Sequence, residues 1–126
     1  MLRRVGQGLH SQEVLMDLIR TRQILKEARD IWVEDPLRDG WLASDKDGNG
    51  VSPDDTEACK WCAIGAICKV SGREYEYEAE EAAIRVLRDV LGSETGHQYD
   101  LARFNDSGML TVRHWNKAIE RLGGEP

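Results

Sequence analysis

Thirteen consecutive residues, Ala58-Cys59-Lys60-Trp61-Cys62-Ala63-Ile64-Gly65-Ala66-Ile67-Cys68-Lys69-Val70, carry only two charges, Lys60 and Lys69. A helix without a polar face cannot lie on a surface, so the rest of the chain must wrap this one. The spacing predicts a central helix that begins at Ser52-Pro53-Asp54-Asp55. There a cap hydroxyl, a proline at the first helical position and two acids suit the positive end of a helix dipole. Ser71-Gly72 ends it. The small residues Ala58, Cys62, Gly65 and Ala66 invite close backbone approach, and Gly65 gives up roughly 1 kcal/mol of helix propensity that tight packing can offset.

Three further helices follow from apolar spacing. Val14, Leu15, Leu18, Ile19, Leu25, Ala28 and Trp32 recur at helical intervals, predicting a helix from Gln12 to Glu34 capped by Ser11 and stopped at Asp35-Pro36. A third helix is expected from Glu74 to Leu91, with Tyr75, Ala79, Ala82, Ala83, Val86, Leu87 and Val90 inward, an acidic start and Gly92 as its stop. Thr111 caps the last, whose stripe is Val112, Trp115, Ile119 and Leu122 before Gly123-Gly124. Between Gly40 and Pro53 the helical period disappears. Trp41-Leu42-Ala43 faces Val51 across a turn rich in Asp, Asn and Gly, which reads as an irregular loop or small hairpin. Residues 93–109 read as loop. The expected architecture is all-α, a four-helix compact domain around a buried central helix, with that short loop between helices 1 and 2. Residues 1–10 are expected to form a flexible N-terminus, and residues 11–123 a single α-helical domain, the size that 126 residues allow.

Charge narrows the partners. The formal net charge is −6 with a pI near 5.1, and residues 31–81 hold 13 acids against 5 basic residues, an acidic surface unsuited to a phosphate backbone. No apolar run is long enough for a membrane span, and no apolar stretch follows Arg3-Arg4. Cys59, Cys62 and Cys68 are odd in number and crowded together, so reduced thiols and a cytoplasmic location are expected. The expected partner is another protein, with neither nucleic acid nor membrane, and no cofactor is expected.

Four constellations are candidates for chemistry. Asp45, Asp47 and Asn49 stand at positions 1, 3 and 5 of an EF-hand-like loop with Gly50 at position 6. Position 12, where a bidentate acid belongs, is Thr56, so the segment reads as a turn and at most a weak calcium loop. Cys59 and Cys68 on one helix would point in opposite directions about 13 Å apart, which opposes a shared zinc ion. Cys62 is a candidate nucleophile, with His97 or His114 as base and Asn105 or Asp106 as orienter. Its expected place, a turn or more inside a helix among Ala and Gly, makes it a core filler instead. His10 falls in the N-terminal stretch. Asn105-Asp106-Ser107-Gly108 reads as a turn whose side chains bond backbone amides, or alternatively bind a ligand. Trp41, set in a polar loop, is the candidate anchor for a partner.

From Gln23 to Leu122 the chain resembles an uncharacterised family of small bacterial and bacteriophage proteins, a domain of unknown function. The resemblance rests on Trp41, Asp45 to Gly48, Val51-Ser52-Pro53, the helix signature Trp61-Cys62-Ala63-Ile64-Gly65-Ala66, Phe104-Asn105-Asp106 and the closing helix Val112 to Ile119. Phe104 stands where many members have tryptophan, and residues 1–20 lie beyond the similarity. The resemblance implies a fold and no reaction. The functional expectation is a non-enzymatic protein-binding or accessory module acting through Trp41 with the Asp45 to Pro53 loop or through the acidic third helix. The alternatives are a thiol-dependent hydrolase or transferase using Cys62, and a weak calcium-binding loop at Asp45–Asn49.

Overall fold

A computed structural model describes residues 2–72, 77–95 and 100–126, with the side chains of residues 2–14 and 95 outside that description. The helices are α1 (Leu2–Glu34), α2 (Ala63–Ser71), α3 (Tyr77–Thr95), α4 (Leu101–Asp106) and α5 (Val112–Arg121). The strands are β1 (Ala43–Ser44), β2 (Gly50–Val51) and β3 (Lys60–Trp61), which form a small antiparallel sheet in the order β2-β1-β3. The molecule is therefore mostly helical but neither all-α nor four-helical.

The wrapped central helix exists, shortened to nine residues. Ala63, Gly65, Ala66, Ile67, Cys68 and Ser71 of α2 are buried, and α2 packs on α1, α3 and α4. Its expected start at Ser52-Pro53 is wrong. Residues 52–58 fold into consecutive turns, in which Ser52 O accepts from Asp55 N–H, Asp55 O accepts from Ala58 N–H, and the Asp55 carboxylate accepts from Glu57 N–H. Such local bonds give the backbone an alternative to the helical ladder. The Trp61 indole locks them by donating to Pro53 O at 2.9 Å. Lys60-Trp61 then pairs with Ala43-Ser44 as β3, so the apolar thirteen-residue run is half turn and strand, half helix.

The first helix begins at Leu2, making Ser11 an interior position rather than a cap. Its core face is Ile24, Leu25, Ala28 and Trp32; Leu15 and Ile19, expected on the same stripe, are exposed. The hairpin reading holds, with Ala43 opposite Val51. Gly92 does not stop the third helix, which continues to Thr95; Glu74, Tyr75 and Glu76 lie outside the described residues. Part of the expected 93–109 loop is α4, capped by the Asp100 carboxylate, which accepts from Ala102 N–H. In α5, Trp115 and Ile119 are buried as expected, whereas Val112 is exposed. Trp32 and Trp115 meet at 5.6 Å between ring centroids, joining α1 to α5 in the core. Among the described residues no helix is long and apolar enough to cross a membrane.

Candidate functional site

The N-terminal end of α2 gathers several of the residues singled out above. Helix starts leave backbone N–H groups unpartnered, and here one is satisfied by the N-cap side chain and another by a side chain from α4. Cys62 is the N-cap, with its Sγ accepting from Gly65 N–H at 3.3 Å, while its own N–H donates to Leu42 O. Asn105, fully buried at the end of α4, accepts from Ala63 N–H at 3.0 Å and from the Trp32 indole N–H at 2.8 Å through Oδ1. Its Nδ2 donates to Leu37 O at 2.7 Å and to the Asp106 carboxylate at 3.0 Å. Two donors on one side and a carbonyl on the other permit a single orientation of the amide. One side chain thus ties together α1, the loop after it, α2 and α4.

Cys62 was expected inside the helix; at the N-cap it occupies the place where a helix dipole favours a thiolate. Its surroundings oppose that charge. The residue is 4% exposed, and burial pushes its thiol up from the usual range, with the Asp106 charge adding to the rise. Nor does His114 offer a free base. Its Nδ1 accepts the Thr111 backbone N–H at 3.0 Å, which places the ring proton on Nε2, 2.9 Å from a Glu94 oxygen. Thr111 Oγ1 lies 3.1 Å from the same Nδ1, so Thr111, His114 and Glu94 line up like a hydrolase triad but are wired as a helix cap. His97 lies outside the described residues, as does the side chain of His10. Cys59 is exposed and Cys68 is buried beside Glu80, and among the described residues no three His, Cys, Asp or Glu side chains cluster as metal ligands.

Sequence reasoning missed Glu94, because its partners lie 19 to 23 residues away. Lys117 Nζ and Arg113 Nη1 each approach Oε1 to 2.6 Å, clamping the end of α3 to α5. The only local signal is the set Arg113, His114 and Lys117 on one helical face. Lys117 first and Arg113 second hold the carboxyl at about 2, well below its ordinary 4.5. A carboxyl lowered on folding stabilises the native state above the unfolded value and loses that contribution as pH falls through the folded one. Wild type is therefore expected to exceed Glu94→Gln in urea midpoint at pH 7, with the gap closing between pH 4.5 and about 2. The gap should be modest and shrink in high salt, because Arg113 and Lys117 are solvent-exposed. A gap unchanged near pH 2 would contradict the clamp.

The second gathering is the hairpin. Asp45 Oδ1 accepts from the Asp47 and Asn49 amides at 2.9 Å each, Oδ2 accepts from Asn49 Nδ2 at 3.1 Å, and Gly48 turns at φ +85°. Asn49 thereby holds the Asp45 carboxyl below its usual range. The bonds an EF-hand acid would offer to a cation are here made to the turn itself. Two residues before β1, Trp41 is 55% exposed, its ring laid over Gly50 so closely that a β-carbon there would sit 2.5 Å from it. Leu42 beside it is also exposed.

The sequence from residue 16 to residue 122 matches the family of unknown function DUF6197. The chain belongs to DUF6197. Both gatherings, the α2 start with Asn105 and the hairpin with Trp41, fall within the DUF6197 span, and only the first half of α1 precedes it. Neither a curated protein nor a solved structure matches the chain.

Proposed function

We propose that this DUF6197 chain is a non-catalytic module that binds another protein through Trp41 and the Asp45 to Val51 hairpin. The observation that carries this reading is the placement of Trp41: a large aromatic, more than half exposed, laid against Gly50 of a hairpin whose turn is already fixed by Asp45. Tryptophan is enriched among residues that dominate binding energy, and a contact presented on a rigid turn loses little entropy on docking. The acidic exterior disfavours nucleic acid, leaving a protein surface as the complement. A cytoplasmic, bacterial or bacteriophage setting is part of the same proposal and rests on the sequence alone.

Affinity capture with wild type and Trp41→Ala as baits tests the reading. Truncating a hot-spot tryptophan costs 2 kcal/mol or more, so at least one specific protein should bind the variant roughly 30-fold more weakly. The variant's thermal midpoint should stay close to wild type, because the lost ring is mostly solvated. Equal recovery of every captured protein would remove the hairpin as the interface.

The thiol-enzyme alternative is separable by labelling. Iodoacetamide at neutral pH is expected to modify exposed Cys59 quickly and to spare Cys62 and Cys68 until denaturant is added. Rapid native modification of Cys62, read by peptide mass, would restore the enzyme reading.

A further inference from the structure

Among the described residues, half-buried cations are paired, with two exceptions. Arg20 meets Glu27, Arg29 meets Asp30 and Asn116, and Lys60 meets Asp35. Arg22 and Lys26, equally half-buried, have no hydrogen bond or ion pair among the described residues. They stand one turn apart on α1, hence on one face, and border the same cleft of about 430 Å³ between α1 and the segment after α5.

The floor of that cleft is Gly123-Gly124. Gly123 adopts φ +80°, a conformation that glycine enters without strain. A β-carbon on Gly124 would lie 2.8 Å from Arg22 Cδ and 2.9 Å from Ile119 Cγ2, so only glycine lets the arginine stem cross at this height. The Arg22 guanidinium passes directly over Gly123, 3.6 Å from where a β-carbon would be. Ile19 adds an apolar wall, and among the described residues Glu125 is the one acid on the rim, making no ion pair with either cation.

We propose that this cleft binds a small dianion, an organic phosphate or a dicarboxylate, with Arg22 and Lys26 sharing its charge and Ile19 covering its carbon body. Arginine offers a planar fork of donors to paired oxygens and lysine a point charge beside it, the combination that recognises such groups. The volume falls in the range of small-molecule sites. Lacking an internal acid partner, the two side chains are free to give their donors to a ligand. The site lies on the middle of α1, away from the Trp41 hairpin, and does not depend on the protein-binding reading.

The test is an amide-resolved NMR titration of the full chain at low ionic strength, with inorganic phosphate in one arm and malonate in another. Saturable shifts at Gly123 and Gly124 are expected in at least one arm, and the arm that responds identifies the oxyanion chemistry. Arg22→Gln/Lys26→Gln should weaken that response at least about tenfold, since each charge-assisted bond is worth about 1.5 kcal/mol or more. Unchanged shifts at residues far from the cleft will confirm that the double variant is folded. Two results would overturn the proposal: shifts reproduced by chloride at equal ionic strength, or saturable binding that survives the double substitution. Absence of any saturable shift in both arms overturns it equally.

Discussion

Asn105→Ala is expected to lower the stability of this protein by about 3–6 kcal/mol, much of the 5–15 kcal/mol that holds a typical domain folded. The substitution leaves three buried groups without partners: the Trp32 indole N–H, the Ala63 N–H and the Leu37 carbonyl. Each unmade bond at a buried group costs about 1–3 kcal/mol, which is why the loss exceeds what deleting a few atoms would cause. Urea denaturation of wild type and variant, read by tryptophan fluorescence, measures it. Asn105→Asp separates the two sides of the amide. It keeps both accepted bonds, including the one at the positive start of α2, but at neutral pH has no hydrogen for Leu37 O. Its buried charge would also face the Asp106 carboxylate that Asn105 Nδ2 bonds at 3.0 Å, so its loss at neutral pH is expected to be at least that of Asn105→Ala and to lessen on acidification, as the new carboxyl takes up a proton. A loss below about 1 kcal/mol for the alanine variant would mean that water replaces the amide and that Asn105 does not organise the core.

How far this was legible in the sequence depends on the distance over which each bond acts. The β1–β2 hairpin was readable because Asp45, Gly48 and Asn49 are turn chemistry complete within five residues. Asn105 was legible in kind, as a side chain bonding backbone amides. Its targets Ala63 and Leu37, 42 and 68 residues away, left no local trace. The buried character of Cys62 was likewise visible in its apolar neighbours. Its place at the N-cap was not, because strand pairing of Lys60-Trp61 with Ala43-Ser44 decides where α2 can begin. Proline and acids at residues 53–55 signalled a helix start convincingly enough to mislead; the same residues serve turns, and the Trp61 indole arriving at Pro53 O selects between the two.

That strand pairing makes Gly65→Ala the second large effect, and here two principles oppose each other. In an isolated helix the change gains roughly 1 kcal/mol of propensity. In this molecule a β-carbon at position 65 would overlap the Leu42 carbonyl oxygen and approach the Leu42 carbonyl carbon to 2.7 Å. The obstacle is backbone, which cannot rotate away as a side chain does. It is also fixed in place, because Leu42 O accepts from Cys62 N–H at 3.1 Å and Ala43 continues into the sheet. To admit the methyl group, the start of α2 must lift from the strand, stretching both that bond and those Asn105 makes to Ala63 and Leu37. Overpacking a well-filled core costs about 1–3 kcal/mol, and with linked polar bonds at stake the upper end or beyond is expected. Gly72→Ala supplies the contrast. Gly72 closes α2 at φ +72° with nothing within 4 Å of the would-be β-carbon, so only the left-handed backbone opposes the change, at about 1–2 kcal/mol. Chemical denaturation of the two variants should therefore rank Gly65→Ala as clearly the more damaging. If Gly65→Ala proves as stable as wild type while Gly72→Ala does not, helix propensity outweighs the close approach, and the strand is not pressed against the start of α2.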